Sequence, residues 1–224
     1  NSRNAWGAIV LGLPLVIGSA SWSWLIPLML ICFLPVIIAV LPVFDFGIQQ
    51  FARSIVPDSV WMRLSDMQFV DTRSFEATRI GQWKVAVNLI FEKPWLGWGA
   101  AAFSIIYPLR TGLFHGHSHN LPLELGISHG ILVSLLINIF VFSLLIISGL
   151  YGIFNRLNST KNIIVDRAWW TSTLILICFY ATDIPLFDSR INILGWILLI
   201  GLRCMIYDST SYNNSLKKFK KTLY

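Results

Sequence analysis

Charged side chains are scarce in this chain. They make up 12% of its 224 residues, against roughly 25% in soluble globular domains, while 55% are hydrophobic. That balance excludes a water-soluble globular domain. Cysteine is scarcer still: Cys32, Cys178 and Cys204 stand alone within apolar runs, which excludes a disulfide framework and a metal knuckle. The alternating pattern of a membrane barrel is missing, so helices are left as the spanning element. The net charge is +6, but no basic-aromatic recognition module goes with it, so no nucleic-acid partner is expected. What remains is an all-α integral membrane protein, a multi-span helical bundle with one large loop that carries short amphipathic helices.

Apolar runs approaching the roughly 20 residues of a spanning helix predict about five spans, at residues 5–19, 24–44, 127–154, 169–180 and 191–207. The first is short and carries Gly12 and Pro14; the second carries Pro27, Pro35 and Pro42. The organisation expected is two transmembrane helices in 1–44, a large loop in 45–126, three transmembrane helices in 127–207 and a basic tail in 208–224. The chain opens on Asn1 and reads as the C-terminal part of a longer one. Arg156, Lys161 and Arg167 in a short loop, with Lys217, Lys218, Lys220 and Lys221 in the tail, mark the cytoplasmic side. The large loop then lies outside, its seven basic residues escaping the charge rule because long loops do.

That loop is too rich in Trp, Phe and Ile for disorder. Residues 74–91 read as an amphipathic helix with Ile80, Trp83, Val87 and Ile90 at helical spacing. Pro94, Gly97 and Gly99 break it, and a second short helix at 100–107 is expected to lie along the membrane surface. All four histidines then fall between Phe114 and Gly130, in FHGHSHNLPLELGISHG. In an extended segment His115, His117 and His119 would share one face. Asn120 reads as a helix N-cap, with Pro122 and Glu124 in the first turn. Clustered titratable groups where a chain enters the membrane are hard to explain by packing, so the cluster is the candidate site.

Two arginines fall on the same outer side. Arg3 stands at the mouth of the first apolar run, either as a snorkelling helix end or as a group placed for an anion. Arg79 stands three residues after Glu76 and four before Trp83, as an ion pair under an aromatic lid or as a phosphate clamp suited to its planar fork. Arg110 lies near the histidines and would add to an anion pocket.

These residues resemble the O-antigen ligase and polymerase family of bacterial membrane glycosyltransferases. Ser2-Arg3-Asn4-Ala5-Trp6 is similar to its SRGAW opening. Arg79, Trp83, Pro94, Gly97, Gly99 and Phe103 are similar to its R…W……P..G.G…F block. His117-Ser118-His119-Asn120 resembles its H.HN signature, with Gly130 ten residues beyond Asn120. The family's usual second glycine, three residues further, is Val133 here.

The resemblance implies an enzyme of the bacterial inner membrane with its site facing the periplasm. It would take a glycan from an undecaprenyl-diphosphate-linked donor and pass it to an acceptor hydroxyl, on lipid A-core or another glycan, with no cofactor and no metal. Arg3, Arg79 and Arg110 would hold the diphosphate. His119 would be the base, with His117 second. Asn120, Glu124, Trp83, Gly97, Gly99 and Gly130 would support them, and Glu124 is expected to cap its helix rather than orient His119. A ligase, a polymerase and a protein O-oligosaccharyltransferase share the donor chemistry and stay open here.

Three other readings stand beside it. His115, His117 and His119 could supply three nitrogens to zinc, although the helical HExxH arrangement is absent. Some members of the broad family are described as bicarbonate-transport proteins, but polar residues here concentrate in the outer loop rather than mid-membrane. A membrane scaffold for envelope assembly would leave the histidines without a task.

Overall fold

A computed structural model of the chain describes residues 3–40, 45–58, 60–61, 75–154, 163–182 and 188–222. Every regular element among them is helical, and the protein is an all-α membrane protein. Two compact units divide the chain, Asn1–Ser74 and Phe75–Tyr224.

The first unit begins with α1 (Arg3–Ile17), whose interior holds Pro14. Gly18, at a φ of 95°, ends it and donates its N–H to the Pro14 carbonyl, which also accepts the Trp22 indole N–H at 2.9 Å. After a 3₁₀ turn at Ser19–Ser21, α2 (Trp22–Val40) follows with Pro27 and Pro35 inside it. A third helix, α3 (Phe46–Ile55), falls in the stretch expected to be loop; Asp45 caps it by accepting the Gly47 N–H. Helix α3 packs back on the end of α2 through Ala39, Ala52 and Val56. Arg53 donates to the Ala39 carbonyl at 3.1 Å and lies over the Trp61 ring at 4.2 Å. A cation there answers the carbonyls that a helix C-terminus leaves unpaired.

The second unit holds α4 (Arg79–Glu92), α5 (Ala102–Thr111), α6 (Leu121–His129), α7 (Ile131–Ser148), a π turn (Gly149–Phe154), α8 (Ile163–Tyr180) and α9 (Ser189–Thr222). Thr78 caps α4 by accepting the Gly81 N–H. The buried core joins α4, α5 and α6 through Ala86, Leu89, Ile90, Ala102, Phe103, Tyr107 and Ile127. A fully buried Leu, Ile or Phe contributes about 1.5–3 kcal/mol.

Helix α4 forms where the spacing predicts it, but a different face is buried. Gly81, Gln82, Ala86, Leu89 and Ile90 turn inward, whereas Ile80 is 66% exposed and Val87 faces outward too. The periodicity marked an apolar stripe correctly but could not say which neighbour it met. Beside lipid, an outward apolar stripe carries no penalty.

The run at 127–154, expected as one span, is two helices and a π turn. Gly130, at a φ of 87°, turns the chain between α6 and α7. The segment after α4 clasps this break through backbone bonds: Trp98 N–H donates to the Ile127 carbonyl at 2.7 Å, Gly99 N–H to Ser128 at 3.1 Å and Ile131 N–H to Pro94 at 2.7 Å. The strands of backbone run so close that Gly97, at a φ of 68°, would set a Cβ 2.5 Å from the Ile127 carbonyl oxygen. A Cβ on Gly130 would fall onto the Trp95 carbonyl.

Among the described residues, four helical stretches are long and apolar enough to cross a membrane: Ser19–Val40, Ile131–Ser148, Ile163–Tyr180 and Ser189–Tyr207. The apolar part of α1, Gly7–Ile17, is shorter. In the second unit α8 is tied on both sides by indoles. Trp169 donates to the Leu198 carbonyl of α9 at 2.9 Å over Gly201, and Trp170 to the Leu145 carbonyl of α7 at 2.8 Å over Gly149. Small residues beneath large rings let apolar helices approach where no hydrophobic force drives them together. Helix α9 continues to Thr222, so the stretch expected as a tail begins as helix.

Gly130→Ala is expected to destabilise the protein by about 3 kcal/mol, since the Gly130 backbone conformation excludes other residues and the clasp has no room. Gly116→Ala, where a Cβ meets nothing, should stay within about 0.5 kcal/mol. Thermal unfolding in detergent compares the two.

Candidate functional site

Helix α5 ends at Gly112, and the chain then bends through residues 112–120 instead of running extended. The three imidazoles still converge, by a different route from the alternation the sequence predicts. The His117 and His119 rings meet edge to face with centroids 4.3 Å apart, and those of His115 and His119 are 6.4 Å apart. His129, the fourth histidine, lies exposed in the last turn of α6.

The loop is held from beneath. Ser118 is fully buried; its N–H donates to Glu124 Oε2 at 3.0 Å and its hydroxyl to the Asn120 carbonyl at 3.1 Å. Asn120 caps α6 by accepting the Leu123 N–H at 3.0 Å, as expected, and its amide donates to the Ala181 carbonyl just past α8 at 3.0 Å. The buried Glu124 does reach back from the first turn, but the group it holds is the Ser118 amide. Between these two anchors His119 takes a φ of 53°, in the left-handed region that a side chain rarely adopts.

His115 sits deeper. Its Nε2 lies 3.2 Å from the amide nitrogen of Gln82, and its ring meets the edge of Tyr107 at 5.5 Å. Tyr107 stacks on Phe103 and donates its hydroxyl to the Glu76 carbonyl. Burial holds the His115 imidazole below the usual histidine range, and the neighbouring His117 lowers it further.

Arg79 and Arg110 stand on different helices. Arg79 is the first residue of α4 and is exposed. Trp83, one turn on, buries an indole N–H that meets no acceptor among the described residues. Arg110, expected in the anion pocket, already has a partner: its guanidinium forks onto Glu92 at 2.6 and 2.7 Å. That bond raises the arginine and lowers the carboxylate from their usual ranges, and it ties α5 to α4 on the surface. Arg3 belongs to the first unit, and its side chain lies outside the described residues. Among the described residues, no three His, Cys, Asp or Glu are grouped to hold a metal.

An apolar cavity of about 290 Å³ borders the site. Its wall starts at Leu121 and Pro122, next to Asn120, and runs between α7, α8 and α9 past Leu176, Gly195 and Trp196. Sequence reasoning missed this cavity, and also Gln82 and Ser118. A glutamine in an otherwise apolar α4 face was the available signal for the first of these.

A multi-span helical membrane protein carrying a braced histidine loop beside an apolar cavity is the class these features define. The sequence pattern described as O-antigen ligase matches residues 1–138, and the chain belongs to that family. Its members are glycosyltransferase-like enzymes that work on glycans and lipid-linked substrates. No curated protein and no solved structure matches the chain.

Removing the Glu124 carboxylate leaves the buried Ser118 amide unpaired, so Glu124→Ala is expected to lose about 1–3 kcal/mol of stability. Glu124→Gln keeps an acceptor and should lose less than half as much by thermal unfolding.

Proposed function

We propose that the protein transfers a glycan from an undecaprenyl-diphosphate carrier to an acceptor hydroxyl at the periplasmic face of the bacterial inner membrane. The hydroxyl of lipid A-core is the acceptor this reading favours. The observation that carries it is the conformation of His119: a left-handed residue pinned by Ser118 and Asn120, its ring against His117. Backbone strain of this kind costs about 1–3 kcal/mol and concentrates at active sites.

In the proposed reaction the acceptor oxygen forms a bond to the anomeric carbon as the bond to the carrier diphosphate breaks. The hydroxyl proton passes to His119, whose unperturbed range lies near neutral pH. His117 orients that ring or contacts phosphate. Arg79 takes the departing charge, with the Trp83 indole N–H, which meets no acceptor among the described residues, as a further donor on the same helix. Arg110 would have to leave Glu92 to take part. The transfer needs no metal in this scheme. Direct displacement inverts the anomeric centre.

A lipid-linked donor also explains the cavity between α7, α8 and α9, whose lining is almost entirely apolar and begins beside the histidine loop. It would seat the first part of the carrier chain while the diphosphate reaches the polar loop.

His119→Ala and His119→Gly should both abolish transfer from a lipid-linked donor in proteoliposomes. The glycine variant, free of left-handed strain, should remain within about 1 kcal/mol of the parent in stability. Retained transfer in both would end the proposal. Gly195→Leu narrows the cavity and should raise the KM for a long-chain donor at least several-fold more than for a short-chain one. An equal effect on both would detach the cavity from the carrier. In a deletion strain, mass spectrometry showing full-length polymer on its carrier lipid marks a ligase, and single repeat units mark a polymerase.

A further inference from the structure

Gln82 lies in the first turns of α4 and is 2% exposed, on a face otherwise made of Gly81, Ala86, Leu89 and Ile90. Its amide nitrogen is 3.2 Å from His115 Nε2 and 3.5 Å from the Ala77 carbonyl. Its Oε1 is buried and meets no donor among the described residues. The Ala77 carbonyl decides which end of the amide is nitrogen, because the reverse orientation would set two oxygens together. Facing an N–H, His115 Nε2 can only accept. A buried amide with an orphaned oxygen is costly for a fold, and methionine would fill the same space without that cost. Packing therefore does not account for the residue type.

We propose that Gln82 is a positioning residue that locks His115 as the neutral imidazole protonated on Nδ1, and so confines proton uptake in the loop to the His117–His119 pair. Its catalytic consequence rests on the glycan-transfer reading; the lock itself does not. Protonating His115 on Nε2 would turn an N–H against the Gln82 N–H and lose the bond. Three imidazoles this close cannot all carry charge, since each cation disfavours the next. The groups that face His115 are the uncharged Gln82 from α4, the Tyr107 ring from α5, and His117 and His119 from its own loop. Keeping His115 neutral removes one competing charge from beside His119.

The direction of the His115 shift agrees. Burial and the His117 charge hold it below the ordinary range, so the unfolded chain takes up this proton before the folded one does. The contribution to stability is present above the unfolded value of about 6.5 and is lost as pH falls toward the lowered folded value.

The test is a pH titration of the full chain in micelles, with ¹⁵N-labelled histidine and His115 assigned from His115→Gln. Wild type should show His115 protonated on Nδ1, with a midpoint below the ordinary histidine range. Gln82→Met should raise that midpoint, and Gln82→Glu, whose carboxylate accepts an Nε2–H, should raise it by about one unit or more. Restored lowering in Gln82→Asn, a shorter amide, would add support. A wild-type His115 protonated on Nε2 overturns the lock, as does an unmoved midpoint in the Met variant, which keeps side-chain length if the Glu variant does not fold. In the same samples, Gln82→Glu should move the acid limb of glycan transfer by about the change in charge beside His119. Midpoints that move in the Gln82 variants, while the wild-type protein transfers nothing, would sink the glycan-transfer reading and leave the lock standing.

Discussion

Backbone hydrogen bonding at the break between α6 and α7 is the constraint on which the second unit depends. A helix interrupted near a bilayer leaves carbonyls and amides that lipid cannot satisfy. Here the segment after α4 supplies the partners, with Trp98 and Gly99 donating to Ile127 and Ser128 while Pro94 accepts from Ile131. Because those bonds run backbone to backbone, Gly97 and Gly130 have no space for a side chain. The same bonds fix the position of α6, and α6 carries the histidine loop at its N-terminus.

From that anchored helix the site is built by short-range bonds. Asn120 ends the loop by capping α6 and reaches across to Ala181, so the loop is referred both to α6 and to the end of α8. Glu124 holds the Ser118 amide from one turn below. The result places a strained His119 against His117 while His115 is drawn inward by Gln82. The Ser118 amide and hydroxyl and the Asn120 amide each have a partner, whereas Gln82 Oε1 and the Trp83 indole N–H, near one helix start, meet none among the described residues.

The surface around this site is unusual for a protein in water. Phe91, Trp95, Leu96, Ile105, Leu109 and Phe114 are all largely exposed on the segments that carry the loop. An apolar surface beside membrane-spanning helices is consistent with elements lying at the lipid boundary, where aromatic and aliphatic side chains are at home. It also explains why, of the stripe Ile80, Trp83, Val87 and Ile90, Ile90 enters the core while Ile80 and Val87 face outward: near lipid, apolar periodicity marks two possible environments.

Composition and local pattern were enough to establish an all-helical membrane protein, the Asn120 cap, the breaking role of Pro94, Gly97 and Gly99 and the clustering of histidines, because each follows from bonds or bulk within a few residues. Helix α3 went unseen since its buried side is only Gln49 and Ala52, too small a signal in a mixed stretch. Tertiary structure alone decided that 127–154 is broken, that Arg110 belongs to Glu92, and that Gln82 meets His115. Those three depend on which chain segments lie side by side over separations of 18 to 37 residues, a matter of packing and backbone satisfaction that no local spacing encodes.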